Sequence, residues 1–193
     1  MDRIKLRAYQ GLLKSGRITK ETVYNNVLSN KITPEDYKQI TNEECPELPL
    51  DRVKENKINE IKLECQNKIY SGFYSTVKYD EPKLYTLKDY EQSNLQALLI
   101  GIMGGATSVP WRHSELVVCD IWTSQEFMEL YNQASAFTIN QRYKSDVVEL
   151  YILQEELTVE DVNNCNLDMK LPQSYIDILT EKLNQAGVSL WTD

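Results

Sequence analysis

One histidine, His113, stands in this chain of 193 residues, beside Trp111 and Arg112. Histidine ligates metal when neutral and titrates near neutral pH, so acid–base and metal sites usually draw on it. His113 has no HExxH or HxH partner. Gly101, Gly104 and Gly105 look superficially like a phosphate loop. Such a loop follows a strand, opens a helix and carries Lys-Ser/Thr. These glycines follow a helical pattern and precede Ala106-Thr107, so helix termination accounts for them. The acid pairs Glu43-Glu44, Glu155-Glu156 and Glu160-Asp161 read as solvated faces or helix starts. Nothing in their spacing sets two carboxylates across a cleft, as glycoside hydrolysis requires. No serine lies in a GxSxG elbow. Cys45, Cys65, Cys119 and Cys165 are far apart and form no CxxC pair, so they read as reduced thiols. The expectation is a protein without enzymatic activity, cofactor or metal.

Composition narrows the partners. The net charge is −8 and the pI about 4.8. Duplex binding needs clustered Lys and Arg to displace counterions, so neither nucleic acid nor an anionic membrane is an expected partner. No apolar run approaches the roughly 18 residues of a membrane span. The longest, Leu95 to Met103, is broken by Gln96 and Gly101. The N-terminal stretch lacks the apolar core of a secretory signal, so synthesis and folding in a cytosol are expected. Hydrophobic residues at 41% and charged residues at 26% are globular proportions. Twelve tyrosines against three phenylalanines suit interfaces, where a ring is buried and its hydroxyl stays wet. Tyr9, Tyr24, Tyr37 and Trp191 are the expected interface contributors, although core packing accounts for the first three almost as well.

These side chains must be positioned by an α+β fold, mainly α-helical, with one or two small antiparallel β-hairpins. Gly16-Arg17-Ile18-Thr19-Lys20-Glu21 recurs as Asn30-Lys31-Ile32-Thr33-Pro34-Glu35. In each copy a residue tolerant of the left-handed conformation ends one helix, and a threonine caps the next. Pro34 fits the first helical position, and Glu21, Glu35 and Asp36 complement the helix dipole. Three short helices follow, about 3–15, 20–29 and 34–40, sharing a core of Ile4, Leu6, Leu12, Leu13, Val23, Val27, Leu28, Tyr37 and Ile40. The module leans basic near its start, through Arg3, Lys5, Arg7, Lys14, Arg17 and Lys20. A DNA-reading second helix would need exposed Arg, Asn or Gln, and within ETVYNNVLSN the helix offers only Asn25 and Asn26, Asn30 marking its end. The basic face could instead meet an acidic partner or the acidic remainder of the chain.

Pro46 and Pro49 mark a linker at 45–50, separating a docking module (1–44) from a central α+β domain (51–157) and a helical extension (158–193). Within the central domain, 51–71 is an amphipathic helix carrying Ile58, Ile61, Cys65 and Ile69, closed by Gly72. Phe73 to Tyr79 reads as a strand and Lys83 to Tyr85 as its partner. Thr86 with Asp89 reads as a helix start, with the helix running to Met103. Leu116 to Trp122 reads as a strand, and Thr123 with Glu126 as a capping box opening a helix to about Gln154. Phe127, Leu130, Tyr131, Ala134, Phe137, Val147, Leu150 and Tyr151 are its apolar positions. Thr158 with Asp161 and Leu171-Pro172 begin the last two helices.

The stretch LLKSGRITKETVYNNVLSNKITPEDYKQIT resembles the XkdX-type family of very short phage tail proteins in its Ile-Thr-x-Glu helix starts and terminal Tyr-x-x-Ile-Thr. The segment 57–153 resembles a second family, an uncharacterised domain of phage tail-fibre and baseplate proteins. The similar features are KINEIKLECQNKIYSGFYST, Gln92-x-Asn94-Leu95, Trp111-Arg112 and a Thr-x-x-Glu-Phe start at Thr123 to Phe127. Usual members carry Asp where this chain has Glu91, and often a longer acidic turn before the last helix. The residues read as structural are Thr19 and Thr33 as caps, Gly72 at a turn, and Asn94 and Trp111 organising the core.

The resemblances imply a phage, prophage or tailocin tail, and neither implies an activity. The chain is then expected to be an adaptor between baseplate and receptor-binding fibre, oligomeric in a symmetric particle. The alternative is a fibre-assembly chaperone absent from the mature particle.

Overall fold

A computed structural model describes residues 2–29 and 31–189. The fold is mainly α-helical, with two small antiparallel hairpins and an N-terminal three-helix region. The chain divides into two compact units, one comprising residues up to Lys57 with Leu157–Asn163, the other Ile58–Glu156 with the chain from Asn164 onward.

The first unit opens with α1 (Arg3–Lys14), α2 (Lys20–Leu28) and α3 (Pro34–Thr41). Thr19 caps α2, its hydroxyl accepting the Thr22 N–H at 3.1 Å. Thr33 caps α3 reciprocally: its hydroxyl accepts the Asp36 N–H, and the Asp36 carboxylate accepts the Thr33 N–H, both at 3.0 Å. Each bond satisfies a donor that the first helical turn leaves without a carbonyl. Gly16 turns the chain with φ of 72°, whereas the matching Asn30 lies outside the described residues. The core is Val23, Val27, Ile32, Tyr37 and Ile40, with Leu6, Tyr9 and Leu13 leaning on it. Ile4 and Leu12, expected in this core, are 83% and 36% exposed. Leu6, Tyr9 and Leu13 recur at helical spacing on one face of α1, and Ile4 and Leu12 fall off that face. The unit also holds the start of α4 (Leu50–Ser71) and α7 (Val159–Asn164), where Val53 and Val162 are buried.

The second unit holds the rest of α4 and a hairpin of β1 (Phe73–Ser75) and β2 (Lys83–Tyr85), in the register Phe73↔Tyr85. Next come α5 (Asp89–Met103) and a second hairpin of β3 (Ser108–Trp111) and β4 (Asp120–Thr123), with Val109 opposite Trp122. The long α6 (Ser124–Ile152) and α8 (Gln173–Gln185) complete it. Trp122, Phe127, Leu130, Val148 and Ile152 are at most 1% exposed, so the buried side of the unit runs along the length of α6.

Both strands of expectation are shorter in fact. The β1 ladder stops at Ser75, whose hydroxyl accepts the Val77 N–H at 3.2 Å and bends the chain away. Residues 116–119 are not strand; β4 starts at Asp120. Thr86 does not cap α5. It lies short of the helix, and its hydroxyl donates to Glu91 at 2.8 Å, as does the Lys88 N–H. Glu91 therefore ties down the helix entrance from inside. On α6, Leu150 is 47% exposed, because the buried row there runs through Val147, Val148 and Ile152.

Candidate functional site

The lone histidine lies in the loop after β3, yet it is 5% exposed. Tyr79 meets its ring edge-on at 5.2 Å and Tyr85 at 6.2 Å. Both tyrosines also stand edge-on to Trp122. The neighbouring Ser114 anchors the loop to β2, its N–H and hydroxyl both donating to the Leu84 carbonyl, at 2.9 and 3.0 Å. His113 Nδ1 accepts the Glu115 N–H at 3.3 Å. The Glu115 carboxylate is 3.9 Å from that nitrogen but largely exposed.

The phenols around His113 are held protonated. Burial, together with the hydrogen bond that Tyr79 donates to Asp120, pushes the Tyr79 hydroxyl up to about 12. Burial likewise drives Tyr85 well above the ordinary phenol range. A group far above neutral pH cannot exchange protons in turnover, so neither tyrosine suits acid–base work. The cluster joins the two hairpins and has a packing role. Among the described residues no group of three or more His, Cys, Asp or Glu is placed to hold a metal ion.

Three of the expected interface residues, Tyr9, Tyr24 and Tyr37, come together at the core of the first unit. Tyr37 is 4% exposed and edge-on to Tyr24 at 6.3 Å, so it belongs to the module's core and not to an interface. Tyr24 is half-buried and donates its hydroxyl to the Glu47 carbonyl at 3.0 Å. Tyr9 is half-buried against the same core. Trp191 lies outside the described residues. Asn94 is exposed on α5 and does not organise the core. Two positions earlier Gln92 donates to the Leu87 backbone carbonyl at 2.6 Å. Trp111 is half-buried, edge-on to Phe127 at 6.0 Å, and its carbonyl accepts the Trp122 indole N–H at 3.2 Å.

The surface that stands out was hidden inside an expected strand. Val117 and Val118, between β3 and β4, are 87% and 76% exposed. Their backbone is fastened: the Arg112 guanidinium donates to the carbonyls of Leu116 at 3.0 Å and Val117 at 2.8 Å. Along the hairpin, Ile121 is 67% exposed and pairs with the exposed Pro110, while the alternate residues Trp122 and Val109 face the core. An apolar tip held out by an arginine staple fits docking to another protein, for contiguous exposed apolar surface marks interaction sites. Adjacent valines cannot both face the core of a strand, which is the signal that Leu116 to Trp122 carried.

Among the described residues no helix is long and apolar enough to cross a membrane. A family model described as "Domain of unknown function (DUF4376)" matches residues 52–162, a span that contains the segment 57–153. No curated protein and no solved structure matches the chain.

Proposed function

This chain therefore belongs to the DUF4376 family, whose model covers more than half of it, and from that membership we propose that it is a non-enzymatic structural component of a phage, prophage or tailocin tail. It acts as an adaptor between baseplate and receptor-binding fibre, made in the bacterial cytoplasm and carried in the particle. Several copies sit in a symmetric assembly, since symmetric particles repeat such chains. The family occurs in phage-associated proteins, and the capped helices of the first unit resemble short tail proteins. Both support the reading.

The observation that carries the adaptor role is the stapled Val117–Val118 tip. Ordering costs a loop conformational entropy, and two exposed valines return nothing to the isolated fold. A partner that buries them does. The test is quantitative mass spectrometry on purified, intact particles. The chain is expected at a fixed stoichiometry. Its absence from mature particles, with accumulation on unassembled fibre, would overturn the adaptor and favour the assembly chaperone.

A further inference from the structure

The first twenty residues hold six cations and one anion, Asp2, in a chain of net charge −8. α1 buries none of its residues. Leu6, Tyr9 and Leu13 lean on the core. Arg3, Arg7 and Lys14 recur at steps of four and seven, which places them in one row on a different face, and all three are exposed. Ile4, 83% exposed, starts the neighbouring row, which continues through exposed Ala8 and Gly11. A Cβ added to Gly11 would meet nothing within 4 Å, so the ridge is open.

Ion pairing distinguishes these cations from Lys5 and Lys20. Lys5 lies 4.0 Å from Asp2, and Lys20 pairs with Glu43. Arg3, Arg7 and Lys14 pair with no carboxylate among the described residues, although the chain has 29 Asp and Glu. Like charges in a row repel one another, a cost that a surface of opposite sign relieves.

We propose that this face of α1 docks an acidic amphipathic helix of a different protein, with Arg3, Arg7 and Lys14 against a carboxylate row and Ile4 on its apolar ridge. Carboxylates three and four apart on a helix repeat at the same spacing as this cation row. A second copy presenting the same face would set cation against cation. A second copy presenting its acidic remainder would make a head-to-tail contact, closing as a ring or growing as a filament, so self-association that depends on this face counts against the proposal. Duplex DNA and anionic bilayers repel the net-negative body of the chain. A single exposed isoleucine is also little apolar surface for a bilayer. The inference rests on the adaptor reading and names one of its docking faces.

The test uses the full chain and a synthetic helical peptide with Glu at every third or fourth position beside a Leu row. The same peptide with Gln for Glu serves as comparison, and fluorescence anisotropy gives the affinity. The Glu peptide is expected to bind at least about tenfold tighter, with affinity falling as salt shortens the screening length. R3E, R7E and K14E together are expected to remove that preference while the circular dichroism spectrum is unchanged. A triple reversal at Lys31, Lys170 and Lys182 shifts net charge equally and is expected to keep it. Equal binding of the two peptides overturns the proposal, as does loss of preference in the control variant. Tighter binding to phosphatidylserine vesicles or duplex DNA also overturns it. So does a wild-type dimer or larger oligomer, seen by light scattering, that the α1 reversal dissolves. In assembled particles, wild-type incorporation of the α1 variant sinks this inference and leaves the adaptor standing, whereas absence of the unmodified chain sinks the adaptor.

Discussion

A Cβ built on Gly72 would stand 2.0 Å from the carbonyl oxygen of Tyr85 and 2.7 Å from the Cα of Thr86. Both are backbone atoms, so no side chain can rotate out of the way. Gly72 also has φ of 80°, where an L side chain is strained. The close approach lets α4 end directly into the Phe73↔Tyr85 pair. Gly72→Ala is expected to destabilise the chain by more than about 2 kcal/mol, combining strain with displacement of the strand pair. Gly16 has nearly the same φ, 72°, but nothing within 4 Å of an added Cβ. Gly16→Ala is expected to cost only about 1 kcal/mol. Urea unfolding of both variants checks the difference, and equal costs would contradict the steric account.

The elements announced by helix chemistry were legible in the sequence. Thr19, Thr33 and Thr123 are local signals, because a cap bonds three residues away. What was not legible depends on distant neighbours. Tyr37 is as suitable for an interface as for a core, and only the packing of α2 and α3 around it decides. Ile4 and Leu12 look apolar enough to bury, but their angular position on α1 leaves them outside. Gln92 and Asn94 are both amides, and the choice between them turns on which one faces the Leu87 carbonyl. The hairpin tip is not legible because the β-branched composition of Val117-Val118 favours a strand, while their exposure depends on where the β3–β4 ladder ends.

Acid should weaken the fold through its capping and bridging carboxylates. The Thr123 N–H and hydroxyl hold Glu126 below the ordinary carboxylate value of 4.5. The ammonium groups of Lys144 and Lys68 hold Asp168 below 3.8, and the Thr158 hydroxyl and N–H do the same for Asp161. A carboxyl whose folded pKa is depressed contributes stability that is complete above its unfolded pKa. That contribution is lost as pH falls through the folded value. The denaturation midpoint is therefore expected to be level through these groups' range from neutral pH to about 5, then to fall below about 4. Glu126→Gln and Asp168→Asn should each flatten that fall. An unchanged slope in the double variant would show that other groups carry it.

The four thiols should separate by reactivity. Cys119 is exposed, Cys45 half-buried, and Cys65 and Cys165 buried. The thiolate is the reacting form, and burial pushes the Cys65 and Cys45 thiols up. In the native protein near pH 8, Cys119 is expected to take up iodoacetamide first and Cys45 more slowly. Cys65 and Cys165 should react only when denaturant opens the fold. Peptide mapping after a time course reads the order directly, and early labelling of Cys65 would contradict its packing against α6, where its thiol donates to the Gln141 carbonyl at 3.3 Å.

The Arg112 staple and the valines it holds out make a prediction that divides folding from docking. Val117 and Val118 are so exposed that neither has much packing to lose, so Val117→Asp with Val118→Asp should change stability by less than about 0.5 kcal/mol per site. The same pair should abolish assembly, because a buried interface core rejects unpaired charge. Arg112→Ala is expected to act differently. It releases the carbonyls of Leu116 and Val117 to water but keeps both valines, so binding survives with a weaker affinity, the cost being the entropy of ordering the tip on contact. Three measurements on each variant separate these cases: thermal unfolding, the near-ultraviolet circular dichroism of the Trp111–Phe127 and Tyr85–Trp122 pairs, and incorporation into purified particles. If the aspartate pair folds normally and still incorporates at the wild-type level, the hairpin tip is not a docking surface, and the adaptor's second contact must lie elsewhere on the central domain.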